Sequence, residues 1–188
     1  MIITESKLRE LTPQVRALNE VVAQRRTFSD VHRNYSLFLS HKHDEIEHLN
    51  RVRQILELVN VNVYVDWADP AMQHPTNRET AERLKQKIRA CDKFVFIASD
   101  AAIASEWCNW EIGYGDAQKY DDDKIAVFPI KQDNRNWTGN EYLQLYPSIE
   151  YYDGTTFYAN HERIERGFYV KYYYNQNIIT PLHRWLGR

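Results

Sequence analysis

Glu111 is the side chain best placed to do chemistry in this sequence. It closes the run Ser99–Glu111, which starts where an apolar segment ends and carries Ser105, Trp107 and Cys108 on the way. Ser105 is the residue type of a helix N-cap, and Trp107 and Glu111 stand four apart, the spacing of one helix face. A carboxylate beside an aromatic ring can hold a flat or cationic leaving group and stabilise positive charge developing next to it. The same carboxylate also fits a solvated or salt-bridged helix residue, and Trp107 fits core packing as well as a pocket wall.

Other chemistries find weaker support. His41, His43 and His48 lie close together, but the first two alternate while the third falls on a helix, and no cysteine or second carboxylate completes a closed ligand set. The expectation is no metal. Cys108 reads as a buried thiol rather than a nucleophile. No Gly-rich dinucleotide fingerprint, phosphate-binding loop, zinc-protease motif or serine-hydrolase elbow occurs.

The elements that must position Glu111 alternate between strand and helix patterns. Tyr35–Leu39 reads as a first strand, with Ser40–Asp44 as the loop after it. A helix follows through Ile46, Leu49, Val52, Leu56 and Val59, with Asp44 as cap and Glu47 three residues on. Val61–Val65 is a second strand ending at Asp66. A loop punctuated by Pro70 and Pro75 leads to a capping box, Thr76 with Glu79, and a helix whose apolar side is Ala81, Leu84 and Ile88. Lys93–Ser99 is a third strand, apolar enough to be internal and parallel. A helix over 105–119, a turn at Asp121–Asp123 and a fourth strand, Lys124–Ile130, complete the pattern.

This succession predicts an open parallel α/β sheet flanked by helices. Ligand sites in such sheets gather at the carboxyl ends of the strands. Ser40–Asp44, Asp66–Asn77 and Ser99–Trp107 therefore meet around one candidate pocket. Lys42 is either a phosphate contact or an exposed lysine. Arg78 stands in the first turn of a helix, where a cation is unfavourable without an anionic neighbour.

The whole chain has 188 residues, 24 Lys+Arg against 26 Asp+Glu, and a formal net charge of -2. That balance argues against a broad nucleic-acid platform. The two cysteines do not make a disulfide scaffold, and the charged N-terminus lacks the apolar core of a signal peptide. No apolar run approaches the roughly 20 residues of a membrane span. A reduced, cytoplasmic setting is expected.

Three segments are expected: a helical extension over 1–32, a main domain over 33–155, and a C-terminal helical extension over 156–188 packed on it. Leu8, Leu11, Val15, Leu18 and Val22 give the first its helical spacing, with Pro13 inside the pattern. In the tail, Ile149–Tyr152 reads as a last strand and His161–Tyr174 as a last helix. Nine of the thirteen tyrosines lie beyond residue 140, which fits packing within the domain or an interface with a partner.

Three stretches resemble one family. Tyr35–Asp44 resembles the first strand and Ser-His ending of Toll/interleukin-1 receptor (TIR) domains of the bacterial stand-alone kind. Val61–Asp66 resembles their second strand, and Phe94–Ser99 with Ser105–Glu111 resembles the third strand and the Ser-x-Trp-Cys-x-x-Glu helix. The resemblance covers roughly 33–155 and implies a flavodoxin-like fold. It also implies an NAD glycohydrolase, cyclase or transferase that cleaves the nicotinamide–ribose bond. Glu111 would be the catalytic residue, and Ser40, His41, Lys42, Asp66, Trp67, Asn77, Arg78, Ser105 and Trp107 would line the substrate site. NAD+ enters as substrate, with no cofactor. The resemblance further implies anti-phage defence through a nucleotide signal, self-association or a TIR–TIR assembly, and a separate effector protein responding to the product. Two other readings stay open: a non-enzymatic TIR scaffold, and an enzyme like the nucleoside deoxyribosyltransferases.

Overall fold

The computed structural model describes residues 1–12, 35–59, 61–65, 78–137, 139–158, 161–173 and 175–187. Among the described residues eight strands form one sheet: β1 (Ile3–Thr4), β2 (Tyr35–Ser40), β3 (Val61–Tyr64), β4 (Lys93–Ala98), β5 (Ile125–Lys131), β6 (Ser148–Tyr152), β7 (Gly167–Tyr172) and β8 (Asn175–Pro181). The order is β3-β2-β4-β5-β6-β7-β8. The pairs from β3 through β6 are parallel, while β6–β7 and β7–β8 are antiparallel. Strand β1 runs parallel to the end of β5, with Ile3 opposite Ile130. The backbones of Met1 and Tyr151 exchange hydrogen bonds, which places this N-terminal segment against β6 as well.

Alternation along the strands divides the interior into two layers. Leu37, Leu39, Val95 and Ile97 face a core shared with Leu8 and Leu11 of the helical residues 5–12 (α1). That core also takes Leu49, Val52, Ile55 and Leu56 of α2 (Ile46–Glu57), and Leu182, Trp185 and Leu186 of α6 (Leu182–Leu186). Phe38, Phe94, Phe96 and Ala98 face the opposite core. It is closed by α3 (Arg78–Ala90), α4 (Asp100–Ile103) and α5 (Glu106–Lys119). Every residue of β4 is buried, as an internal parallel strand requires.

Several expectations change. The C-terminal extension is a β-hairpin followed by a short helix, not a helix over His161–Tyr174. Phe168, Val170 and Tyr172 turn to one face while Tyr169 turns to the other and meets Tyr152 edge-on at 5.4 Å. That period of two is a strand signal. Pairing with β7 also satisfies the backbone groups that β6 would otherwise expose at an edge. Ile149–Tyr152 is thus within a strand, but not the last one. Tyr146, Tyr151, Tyr152, Tyr169 and Tyr172 are buried, so these tail tyrosines pack within the domain.

At the other end, the helical expectation holds for 5–12, with β1 ahead of it; its continuation, Val15, Leu18 and Val22 included, lies outside the described residues. The cap position of α2 is Glu45 rather than Asp44, and no side-chain cap bond forms there. The proposed capping residue Thr76 falls outside the described residues.

Candidate active site

The strand order reverses between β2 and β4: the chain proceeds outward from β2 to β3, then returns to β4 on the other side of β2. Loops leaving the carboxyl ends of β2 and β4 diverge there, opening a crevice suited to ligands. Ser40 is the last residue of β2, and Ser99 follows the last residue of β4.

Helix α5 brings Glu111 to this point. Its buried residues are Cys108, Glu111, Ile112, Gly115 and Lys119, a stripe at helical spacing. Position 111 belongs to the face that should be apolar, yet it carries a carboxylate with 2% of its surface exposed. Burying such a group is costly unless it is hydrogen-bonded. Ser40, 1% exposed, supplies one bond: its hydroxyl donates to Glu111 Oε2 at 2.6 Å. One turn further, Gly115 lets the helix approach the sheet, since a Cβ there would lie 3.0 Å from the Phe94 ring. Ser105 starts α5 as its N-cap, accepting from the Cys108 amide at 3.4 Å.

Around this pair the remaining candidates take distinct places. His41 is buried, its Nδ1 3.4 Å from the Leu39 carbonyl, and its ring stacks on His43 at 5.7 Å. The His41 carbonyl accepts from the Cys108 thiol at 3.3 Å, so Cys108 fastens the loop after β2 to α5. Lys42 pairs with Asp44 at 3.5 Å. Trp107 stacks on Trp110 at 4.8 Å, and Trp110 on Tyr114 at 6.2 Å, giving α5 an aromatic flank outside its buried stripe. Arg78 is exposed at the start of α3. Asp66, Trp67 and Asn77 lie outside the described residues. The structure thus brings Ser40, His41, Ser105 and Glu111 to adjoining elements.

Sequence reasoning missed a polar clamp beside them. The Ser99 hydroxyl donates to Glu45 Oε2 while its oxygen accepts from the Ala102 amide, capping α4. His48 Nδ1 stands 3.4 Å from Glu45 Oε1, and its Nε2 stands 3.7 Å from Glu5 Oε1 on α1. Burial pushes the Glu45 carboxyl up, but hydrogen bonds from His48 and Ser99 outweigh it and hold the group below its usual range. The bond to Glu45 raises His48 against the opposing effect of burial. The clamp joins α1, α2 and the end of β4. The three-residue spacing of Glu45 and His48 was the available signal; nothing local pointed to Glu5.

Chemically, the buried Ser40–Glu111 pair offers a carboxyl group held in place at the strand ends. It can accept hydrogen bonds from hydroxyls of a sugar and stabilise a cation forming beside it. Among the described residues no group of three His, Cys, Asp or Glu is arranged to hold a metal, and no helix is long and apolar enough to cross a membrane.

Comparison with known proteins agrees with this architecture. A family model described as TIR domain matches residues 37–166. A probable 3' cyclic ADP-D-ribose synthase, ThsB', of Bacillus cereus (strain MSX-D12) is 30% identical over 139 residues, covering 72% of this chain and 69% of the relative. A putative cyclic ADP-D-ribose synthase, TIR2, of Cytobacillus dafuensis is 23% identical over 83 residues, or 43% of this chain and 22% of the relative. With the model spanning most of the chain and the strand order reversing at β2 and β4, the protein belongs to the TIR-domain family.

Proposed function

We propose that this TIR-domain protein is an NAD+-cleaving enzyme of the glycohydrolase or cyclase type, acting in anti-phage signalling with Glu111 as its catalytic carboxylate. One observation carries the residue assignment: a carboxylate sits in a stripe that packing would make apolar, held by Ser40 at the point where the strand order reverses. The names of the two relatives, both cyclic ADP-D-ribose synthases, support the reaction class.

The chemistry asks little of acid–base groups. The bond between the nicotinamide nitrogen and the ribose anomeric carbon breaks, and its electron pair stays on nitrogen, converting the pyridinium to neutral nicotinamide. The leaving group therefore needs no proton, and one carboxylate suffices where glycosidases commonly use two. Positive charge grows on the ribose, and the Glu111 carboxylate stabilises it while holding the sugar hydroxyls. An incoming acceptor then bonds to the anomeric carbon through a lone pair and loses its proton to solvent water. Water gives ADP-ribose, an acceptor within the same molecule (its adenine or a hydroxyl) gives a cyclic product, and another small molecule gives a conjugate.

The relatives' names favour the cyclic outcome, and a diffusible cyclic nucleotide would act on a separate effector protein. The experiment is incubation with NAD+ at high protein concentration, where self-association is favoured, with products resolved by chromatography and mass. Nicotinamide with a cyclic product lighter than ADP-ribose by one water is expected. Failure to consume NAD+ would return the protein to the scaffold reading.

A further inference from the structure

The loop that leaves β2 is tied down at both ends, by different elements. At its start the Ser40 hydroxyl donates to Glu111, and the Cys108 thiol donates to the His41 carbonyl at 3.3 Å. Both of these ties run to α5. At its far end Glu45, the residue before α2, accepts from the hydroxyl of Ser99, just beyond β4. The turn between closes as the Glu45 amide donates to the Lys42 carbonyl at 2.9 Å.

Strand register explains why the far end meets Ser99. Ser40 pairs with Phe96 on the neighbouring strand, so the chain beyond Phe96 reaches Ser99 alongside the departing loop. Ser99 is itself fixed, because its oxygen caps α4 through the Ala102 amide at 3.1 Å. Behind Glu45 stands His48, its Nδ1 3.4 Å from Oε1, and Glu5 of α1 faces the other ring nitrogen at 3.7 Å. The Glu45 side chain is 20% exposed and that of His48 15%, so water competes weakly for these bonds. The residues between the ties are open. His43 and Asp44 are exposed, and Lys42 meets Asp44 at 3.5 Å in a pair that solvent weakens. Fixed ends and an open middle suit a loop that must present its side chains to a ligand in one shape.

We infer that Glu45 is a positioning residue: through Ser99 it holds the loop after β2 in the shape that receives NAD+. This inference rests on the proposed binding and cleavage of NAD+ beside Glu111. Without the tie the loop adopts other shapes, and ordering it again on binding lowers affinity. The Ser40–Glu111 bond lies at the opposite end of the loop and stays in place, so the chemical step keeps its rate.

The test reads NAD+ binding by calorimetry in the Glu111→Gln background, where no turnover is needed. Adding Glu45→Ala should weaken NAD+ about tenfold, as for a lost hydrogen bond to a charged group. Ser99→Ala removes the same tie from the other side and should weaken NAD+ by a similar factor, which keeps the test alive if one variant does not fold. The two together should bind no more weakly than the weaker single variant. Ser99→Thr keeps the hydroxyl and should bind like the parent. Unchanged affinity in both alanine variants, multiplying losses in the double variant, or no recovery in Ser99→Thr overturns the inference. So does absence of NAD+ binding in Glu111→Gln itself. In the Glu111-containing enzyme, Glu45→Ala should raise KM about tenfold with kcat within about twofold of the parent. A lowered kcat at unchanged KM would overturn the positioning role. Failure of the parent to cleave NAD+ that it binds bears only on the catalytic reading.

Discussion

Two buried carboxylates stand at opposite sides of the same sheet. Glu150, in the C-terminal half, pairs with the Met1 ammonium at 3.1 Å, faces the Lys171 ammonium at 3.9 Å, and takes hydrogen bonds from Ser148 at 3.2 Å and Tyr152 at 3.5 Å. Glu111, beside the parallel half, takes a 2.6 Å bond from the Ser40 hydroxyl. Glu150 is carried by a strand and joins β6 to β7; Glu111 is carried by a helix and points to where loops diverge. One arrangement fastens an added hairpin to the sheet. The other holds a carboxyl group at the edge where the strand order reverses. Burial alone therefore does not identify a catalytic acid; its place relative to the strand ends does.

Removing one carboxylate should hurt stability and removing the charge of the other should not. Glu150→Ala leaves the Met1 and Lys171 ammonium groups without their shared carboxylate and removes a side-chain link between β6, β7 and the N-terminal segment. Only the carboxylate is buried, so a loss of about 1–3 kcal/mol is expected from its missing hydrogen bonds, measured by urea unfolding. A loss below about 1 kcal/mol would mean that Glu150 does not fasten the hairpin.

A comparable effect should follow Ser40→Ala. Glu111 then loses a short hydroxyl bond, which should lower stability by about 1–3 kcal/mol. If the same bond orients the carboxylate toward ribose, NAD+ turnover should also fall about ten- to a hundredfold. Parent-like turnover would sever Ser40 from the chemistry.

The smallest effect belongs to the clamp of Glu45, His48 and Ser99, faced also by Glu5 of α1 and by His41. His48 is raised from 6.5, so its contribution is complete below that value and lost as pH rises through the raised one. Glu45 is lowered from 4.5, so its contribution is complete above that value and lost as pH falls through the lowered one. The clamp is whole between those two ordinary values. The melting temperature of the parent should exceed that of His48→Gln most at about pH 5–6, and the gap should narrow in alkaline buffer. A gap constant with pH would remove the charged clamp.

The same contrast explains what could be read from the sequence. The run from Tyr35 to Lys131 was legible because continuous apolar strands and helical stripes have distinct periods. Phe94–Ala98 is buried throughout, and Leu84 and Ile88 face the core as their spacing requires. Ser40 was legible as a polar residue closing an apolar strand, and Glu111 as a carboxylate one helical turn beyond Trp107. The tail was misread because Phe168, Tyr169, Val170 and Tyr172 suit either state locally. Pairing with Ser148–Tyr152 decides the strand, and that partner lies some twenty residues away. The two-residue β1 and the four-residue α4 are too short to leave a periodic trace. Glu5 and Glu45 took their places only once separate elements came together.

The central claim is tested most directly by NAD+ consumption and thermal melting of the parent and Glu111→Gln, measured side by side. The substitution keeps the shape of the side chain and a partner for the Ser40 hydroxyl, and it removes the cost of burying a charge. The expected result is loss of turnover by at least about a hundredfold, typical of removing a major electrostatic stabiliser, with a melting temperature equal to or above that of the parent. Undiminished turnover with the same products would contradict Glu111 as the charge that stabilises the departing ribose.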